Sequence, residues 1–190
     1  MTEIVCLLDR SGSMSGQEKY IIAKYNVFIN AKDTYDENTL VTTIFFDEER
    51  EYILNGERAS YARISPRQYF THGSTALLDA IGDTIQEMKM FYDEVPEGYS
   101  NLKLILLIIT DGKEDASREF TYKRIRQMVK QQEECGWSIF FLGVGIDAFE
   151  IRNDLGTVEE RKRTAKKPLT KIRWITDKIR LFLGIEYDDN

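Results

Sequence analysis

The stretch from Ile4 to Met14 constrains the fold of this 190-residue chain more than any other segment. It reads I-V-C-L-L-D-R-S-G-S-M, a short apolar run that ends in an aspartate and two alternating serines. An apolar run of this length, followed by a polar turn that contains glycine, predicts a buried strand and then a loop. The loop offers one carboxylate and two hydroxyls, which are oxygen ligands suited to Mg²⁺, Mn²⁺ or Ca²⁺. The same residue types are common in ordinary turns, so this pattern alone leaves both interpretations open.

Strands and helices alternate along the chain, which predicts an α/β fold with a Rossmann-like, open and mainly parallel sheet that has helices on both faces. Strands are predicted over 1–8, 39–46, 50–54, 102–109 and 137–144, and helices over 17–32, 76–92 and 119–135. The first and fourth of these strands are apolar without alternation, as is typical of strands buried on both faces. The acidic turn at 47–49 predicts an antiparallel hairpin strand at the sheet edge, and the segment 55–69 is expected to be irregular.

Composition and charge limit the classes of protein to which this chain can belong. A hydrophobic content of 42% with 31% charged residues is typical of a soluble globular protein. The net charge of −6 argues against a general nucleic-acid binder. Cys6 and Cys135 do not form a C-x-x-C pair, so both are expected to be buried or free thiols in a reducing compartment. The sequence shows neither a signal peptide nor an apolar run long enough to span a bilayer, and a cytoplasmic location is therefore expected.

The last part of the chain differs from the rest in its charge. Nine Lys or Arg residues lie between Val158 and Arg180, against three acidic residues. An apolar stripe at helical spacing predicts an amphipathic helix, and it consists of Ile172, Ile175, Ile179 and Phe182. We expect one domain over 1–156 and a basic, helical extension over 157–190 that packs on it. The alternative is that the basic flank of this helix contacts a membrane surface or an acidic partner.

Two further polar loops accompany the one that follows the first strand. The segment from His72 to Thr75 precedes a predicted helix, and Asp111 follows the strand predicted at 102–109. In an open parallel sheet, ligands bind at the carboxyl ends of the strands, where the strand order reverses. If the first strand lies beside the strand at 102–109, the three loops converge at that point.

Together these residues resemble the metal-ion-dependent adhesion site of a von Willebrand factor type A domain, a likeness that covers roughly residues 1–156. The matching motifs are D-R-S-G-S, H-G-S-T-A-L-L-D-A-I and I-I-T-D-G. The resemblance implies that Ser11, Ser13 and Thr75 coordinate the metal through their hydroxyls, and that Asp9 and Asp111 coordinate it directly or through water. Mg²⁺ is the expected ion, with Mn²⁺ or Ca²⁺ as alternatives, because all five ligands are oxygen atoms.

The resemblance also implies a function. In this family a Glu or Asp carboxylate of a partner protein commonly completes the metal shell, so the expected role is non-enzymatic, metal-dependent protein binding. Further residues are expected at the rim of the site, namely Met14, His72, Ser74, Gly112 and Asp115. The expected partner is a protein with an exposed acidic residue rather than a nucleic acid. Membrane contact through the carboxyl-terminal helix is the less favoured alternative.

A metal-dependent phosphatase or phosphotransferase on a similar sheet is the competing enzymatic interpretation. Enzymes of the haloacid-dehalogenase type need a second acid two residues after the nucleophilic aspartate, and Ser11 occupies that position here. The chain also lacks the G-x-x-x-x-G-K-[ST] phosphate loop. Both observations favour a binding protein over an enzyme.

Overall fold

A computed structural model describes residues 1–29, 38–93, 103–111 and 113–143. Its strands are β1 (Thr2–Asp9), β2 (Leu40–Phe46), β3 (Arg50–Arg58), β4 (Lys103–Thr110) and β5 (Ser138–Gly143). Its helices are α1 (Glu18–Ile29), α2 (Leu77–Asp93) and α3 (Tyr122–Glu134), and a 3₁₀ turn covers Gly12–Met14. The five strands form one sheet in the order β3-β2-β1-β4-β5, in which only the β2–β3 pair is antiparallel. The predicted α/β architecture and its edge hairpin are therefore confirmed.

The side chains of β1 explain how helices come to cover both faces of the sheet. Ile4, Cys6 and Leu8 belong to the core cluster that contains the buried face of α1. Val5 and Leu7 belong to the opposite cluster, with the buried faces of α2 and α3. Every residue of β1 is buried, as the apolar run predicts for a strand with neighbours on both sides.

Most predicted boundaries within the described residues agree to within one residue, but two are wrong by three or more, and each of these errors has a local cause. The strand β3 continues to Arg58, whereas the sequence predicted its end at 54 and an irregular segment from 55. The extra residues surround a bulge at Gly56, whose N–H donates to Thr42 Oγ1, and an exposed edge strand needs no apolar pattern. The helix α3 begins at Tyr122 instead of 119, because the Thr121 hydroxyl caps it by accepting from the N–H of Arg124.

Both cysteines are free, as predicted: Cys6 is buried in the sheet and Cys135 is exposed after α3. Within the described ranges, no helix is both long enough and apolar enough to cross a membrane. Several predictions lie outside the described residues, namely the end of the first helix at 30–32, the rim residue Gly112, Val144 at the end of the last strand, and the extension at 157–190. The domain boundary at 156 stays a prediction.

Candidate metal centre

The strand order places the first and third loops side by side. β1 pairs with β4 in parallel, and Leu8 lies opposite Ile109, so the two strands end together. β2 pairs with the other side of β1, and Asp9 lies opposite Phe46. The order of the strands therefore reverses at β1, which is where an open parallel sheet places a ligand site. The predicted proximity of β1 and β4 is confirmed.

Asp9 is a fully buried carboxylate at the end of β1. Its Oδ1 accepts from the N–H of Ser11 at 2.8 Å, and its Oδ2 accepts from Thr110 Oγ1 at 2.6 Å. Within the described part of the chain, no ion pair reaches this carboxylate. Burial raises the pKa of Asp9 from 3.8 to about 6, and the negative charge of Asp111 adds to the increase. The site therefore contains a buried anionic group with no cationic partner among the residues that the structure describes.

The first loop brings its two hydroxyls together in the 3₁₀ turn. Ser11 Oγ and Ser13 Oγ are 3.0 Å apart. The turn lies against the second loop, because the N–H of Gly12 donates to the carbonyl of Gly73 at 3.0 Å. A Cβ atom at position 12 would be 3.2 Å from that carbonyl oxygen, which is closer than a side chain normally approaches. Glycine at position 12 therefore allows the close contact between the first and second loops.

The second loop connects the first loop to the third. The N–H of His72 donates to the carbonyl of Arg10 at 2.9 Å. Thr75 is buried, and its N–H donates to Asp115 Oδ1 at 2.7 Å. The carbonyl of Thr75 accepts from the N–H groups of Asp115 and Ala116, both at 3.1 Å. These bonds hold the backbone of Thr75 against the third loop and give Asp115 a positioning role.

The third loop begins at Asp111, which is half-buried. Its Oδ1 accepts from the N–H of Lys113 at 3.1 Å. Farther along the loop, the carboxylate of Asp79 accepts from three successive N–H groups at residues 118–120. Asp79 lies in the first turn of α2, so it fixes the third loop to the same edge of the sheet.

Sequence reasoning missed an ion-pair network beneath the first two loops. Arg10 Nε lies 2.8 Å from Asp47 Oδ2, and both side chains are buried. Arg10 Nη1 also contacts Glu51 Oε2 at 2.5 Å, and His72 Nδ1 lies 3.3 Å from Asp47 Oδ2. Asp47 was predicted only as part of a hairpin turn. One sequence signal could have indicated this ion pair: Arg10 lies between the predicted ligands Asp9 and Ser11, directly after a buried strand, where an arginine needs an acidic partner.

The predicted rim residues differ in their exposure. Met14 is fully buried in the core cluster that contains α1, so the prediction of its side chain as part of the rim is wrong. The 3₁₀ turn directs this residue into the core. His72 is 47% exposed and its ring lies 5.4 Å from that of the exposed Phe70. Ser74 is half-buried and donates its N–H to Glu48 Oε1, whereas Asp115 is exposed.

The residue types around this point fit a hard divalent cation. Two carboxylates and three hydroxyls form the oxygen-only set that Mg²⁺, Mn²⁺ and Ca²⁺ prefer. The buried carboxylate of Asp9, which forms no ion pair with the described part of the chain, would gain a cationic partner. Among the described residues, no three His, Cys, Asp or Glu side chains are grouped so that they could hold a metal. A metal at this point would therefore depend on the serine and threonine hydroxyls as well as on the acids.

Comparison with known proteins connects the chain to solved structures only. No family model matches the chain, and no curated protein matches it. BatB from Bacteroides thetaiotaomicron is similar over 97% of this chain and 100% of its own, with 18% identity and a TM-score of 0.64. Manganese-loaded TRAP protein from Plasmodium vivax is similar over 94% of this chain and 73% of its own, with 16% identity and a TM-score of 0.61.

A von Willebrand factor type A structure from Catenulispora acidiphila is also similar to the chain. It matches 94% of this chain and 42% of its own length, with 19% identity and a TM-score of 0.61. Identities this low show the fold alone. The chain therefore has a fold like that of a von Willebrand factor type A domain.

Proposed function

We propose that this chain is a non-enzymatic protein-binding module that captures its partner through a divalent cation, with Mg²⁺ as the expected ion. Asp9, Ser11, Ser13, Thr75 and Asp111 would hold the ion at the carboxyl edge of the sheet. A Glu or Asp carboxylate of the partner protein would complete the shell. When bound, the cation supplies a positive charge with an open position for an oxygen ligand.

The observation that carries this proposal is the environment of Asp9. Its carboxylate is fully buried, and each oxygen accepts one hydrogen bond, from Ser11 or Thr110. An isolated ionised carboxylate is costly to bury unless a cation or several hydrogen bonds compensate it. A divalent cation at this point would remove that cost. The likeness to manganese-loaded TRAP adds support, because that protein binds a divalent metal on a similar fold.

The protein chain has three tasks in this proposed function. The Gly12–Gly73 contact and the bonds of Thr75 to Asp115 hold the loops in place, so that little ordering is needed when the ion binds. The Arg10–Asp47 pair fixes the base of the first loop. The half-buried Asp111 lies where solvent and a partner carboxylate can approach.

Metal binding is the first step to test. Mn²⁺ titrated into the protein and followed by electron paramagnetic resonance should show one bound ion per chain, which Asp9→Asn should abolish. Asp83→Asn is the matched control, because Asp83 is a carboxylate on α2 that pairs with Arg50 at 3.4 Å, outside the candidate site. Equal Mn²⁺ binding by wild type and Asp9→Asn would refute the proposed ligand set.

Partner capture is the second step. The immobilised chain should retain a protein from its native lysate in Mg²⁺, and should lose it in EDTA or when Asp9 is replaced by Asn. Retention that does not depend on the metal would contradict the mechanism. Hydrolysis of p-nitrophenyl phosphate that requires both Mg²⁺ and Asp9 would favour the enzymatic alternative instead.

A further inference from the structure

Six exposed basic side chains lie between the start of the third loop and the last turns of α3. We call this group the basic surface, and it consists of Lys113, Arg118, Lys123, Arg124, Arg126 and Lys130. Three acidic residues lie in the same segment, Glu114, Asp115 and Glu119, so its net charge is +3 in a chain whose total is −6. Glu114 and Asp115 are already engaged, because they accept hydrogen bonds from the backbone of Leu78 and Thr75.

The basic surface adjoins the candidate metal centre. The N–H of Lys113 donates to Asp111, one of the predicted ligands. The N–H groups of residues 118–120 donate to the carboxylate of Asp79. Asp79 itself lies four positions after the predicted ligand Thr75. Lys123, Arg126 and Lys130 then follow at helical spacing on the exposed side of α3, opposite its buried residues Ile125, Met128, Val129 and Gln132.

Four of these six charges have no ionic partner among the described residues, whereas Lys130 lies 3.8 Å from Glu134 on the same helix. Lys113, Arg118, Lys123 and Arg124 form no ion pair with any described residue. Lys123 and Arg124 lie in the first turn of α3, where the helix dipole disfavours positive charge. The last turn of the helix contains no basic residue. The two charges in the first turn therefore lower the stability of α3, and an acidic ligand would offset this cost.

The opposite side of the metal centre is acidic. The turn between β2 and β3 exposes Glu48 and Glu49, and Glu48 contacts the second loop at the N–H of Ser74. The basic residues nearby are already paired, Arg50 with Glu87 and Asp83, and the buried Arg10 with Asp47 and Glu51. The candidate site thus lies between an acidic flank at β2–β3 and the basic surface at α3.

We infer that the partner segment is an acidic peptide that docks in one orientation, with a run of acidic residues on the α3 side of its metal-binding carboxylate. This inference rests on the proposed function, because the metal is what fixes one carboxylate at the centre. The basic surface then attracts the additional acids, and the acidic flank repels the reversed orientation. Complementary charges of this kind raise the association rate and select the partner.

Fluorescent peptides test the inference without knowledge of the natural partner. Each peptide carries one glutamate, with a run of aspartates before it, a run of aspartates after it, or serines on both sides. In Mg²⁺ at low salt, wild type should bind one of the aspartate peptides about ten-fold more tightly than the serine peptide, since several exposed charge pairs contribute. Added NaCl should reduce the preference. Equal affinity for all three peptides would overturn the inference.

Charge-reversal variants test whether the basic surface causes the preference for aspartate peptides. Lys123→Glu/Arg124→Glu should abolish the preference for aspartate, and the neutral pair Lys123→Gln/Arg124→Gln should reduce it if the first variant folds poorly. Arg58→Glu/Lys89→Glu is the matched control, because it changes the net charge equally, at exposed residues far along β3 and α2 from the site. A preference that survives in both α3 variants would also overturn the inference.

Two further measurements separate this inference from the proposed function and from another class of partner. A preference for aspartate that is the same in EDTA as in Mg²⁺ would refute metal-dependent capture and leave the basic surface as the binding element. Mg²⁺-dependent binding that does not distinguish the peptides would refute only the inference. Tighter binding of oligothymidine than of the peptides, lost in the α3 variants, would assign the basic surface to nucleic acid and overturn the inference.

Discussion

Replacement of Asp9 by Asn should stabilise the metal-free protein although it removes a proposed ligand. The pKa of Asp9 rises from 3.8 to about 6 on folding, mainly because the carboxylate is buried. At about 1.4 kcal/mol per pKa unit, this increase lowers the unfolding free energy at neutral pH by about 3 kcal/mol. Asparagine has the same shape and can still accept from the N–H of Ser11. It must place its NH₂ beside the Thr110 hydroxyl, so we expect a net gain of about 1–3 kcal/mol.

The pH dependence of this gain follows from the direction of the shift. A carboxyl group with a raised pKa in the folded state favours folding when it is protonated, so its contribution is fully present below about pH 4 and is lost as the pH rises through about 6. Wild type without metal should therefore lose up to about 3 kcal/mol between pH 4 and pH 7.5 through Asp9 alone. Asparagine does not titrate, so position 9 should not lower the stability of Asp9→Asn as the pH rises. The stability difference in favour of Asp9→Asn should therefore grow from pH 4 to pH 7.5.

Urea unfolding in EDTA, repeated between pH 4 and pH 7.5 for both proteins, measures the two free energies. In Mg²⁺ at 100 times its dissociation constant, wild type should recover about 2.7 kcal/mol at pH 7.5, whereas Asp9→Asn should not respond. Asp83→Asn should respond to Mg²⁺ as wild type does. The reasoning would be refuted if Asp9→Asn were less stable than wild type in EDTA at pH 7.5, or if the difference between them were independent of pH.

Substitutions at three further positions probe the loops and α3. Arg124→Glu should raise the unfolding free energy by about 0.5–1 kcal/mol, because it places an acid at the third position of α3 and forms a capping box with the threonine cap; thermal unfolding measures this gain. Asp115→Ala should weaken Mn²⁺ binding by removing the acceptor for the N–H of Thr75, whereas Asp115→Asn, which keeps an acceptor, should bind more nearly as wild type does. Arg10→Met should lower the unfolding free energy by about 3 kcal/mol, because it leaves Asp47 buried without its charged partner; urea unfolding that shows no loss would contradict this role.

The sequence predicted those parts of the fold that depend on local pattern and on parallel-sheet geometry. The unbroken apolar runs of β1 and β4 indicated buried strands, and the carboxyl ends of such strands lie at one edge. The positions of Asp9, Thr75 and Asp111 at that edge follow from this logic. Their role as ligands remains a prediction, because it depends on an ion as well as on the fold.

The contacts that fix the loops could not be predicted from local pattern. Arg10 and Asp47 are 37 positions apart. The D-E-E segment at 47–49 predicts an exposed turn, and only the pairing of β1 with β2 brings Asp47 close to Arg10. Met14 follows Ser13 in a polar loop, so local pattern predicts a rim position, whereas the 3₁₀ turn directs its side chain into the core. In each case the surrounding tertiary structure decides the environment of the side chain, and residues near in sequence contain little information about it.

The same edge of the sheet contains two features that oppose stability, and this coincidence supports a binding role there. Asp9 is a buried anion without a cationic partner among the described residues, and α3 begins with positive charge where its dipole favours negative charge. The first turns of the other two helices each contain an acid, Glu18 in α1 (beside Lys19) and Asp79 in α2. Packing requirements alone would not place both features beside one group of loops, whereas a cation and an acidic partner would compensate both at once. Asp9→Asn combined with Arg124→Glu should therefore yield a more stable protein that has lost the ability to bind.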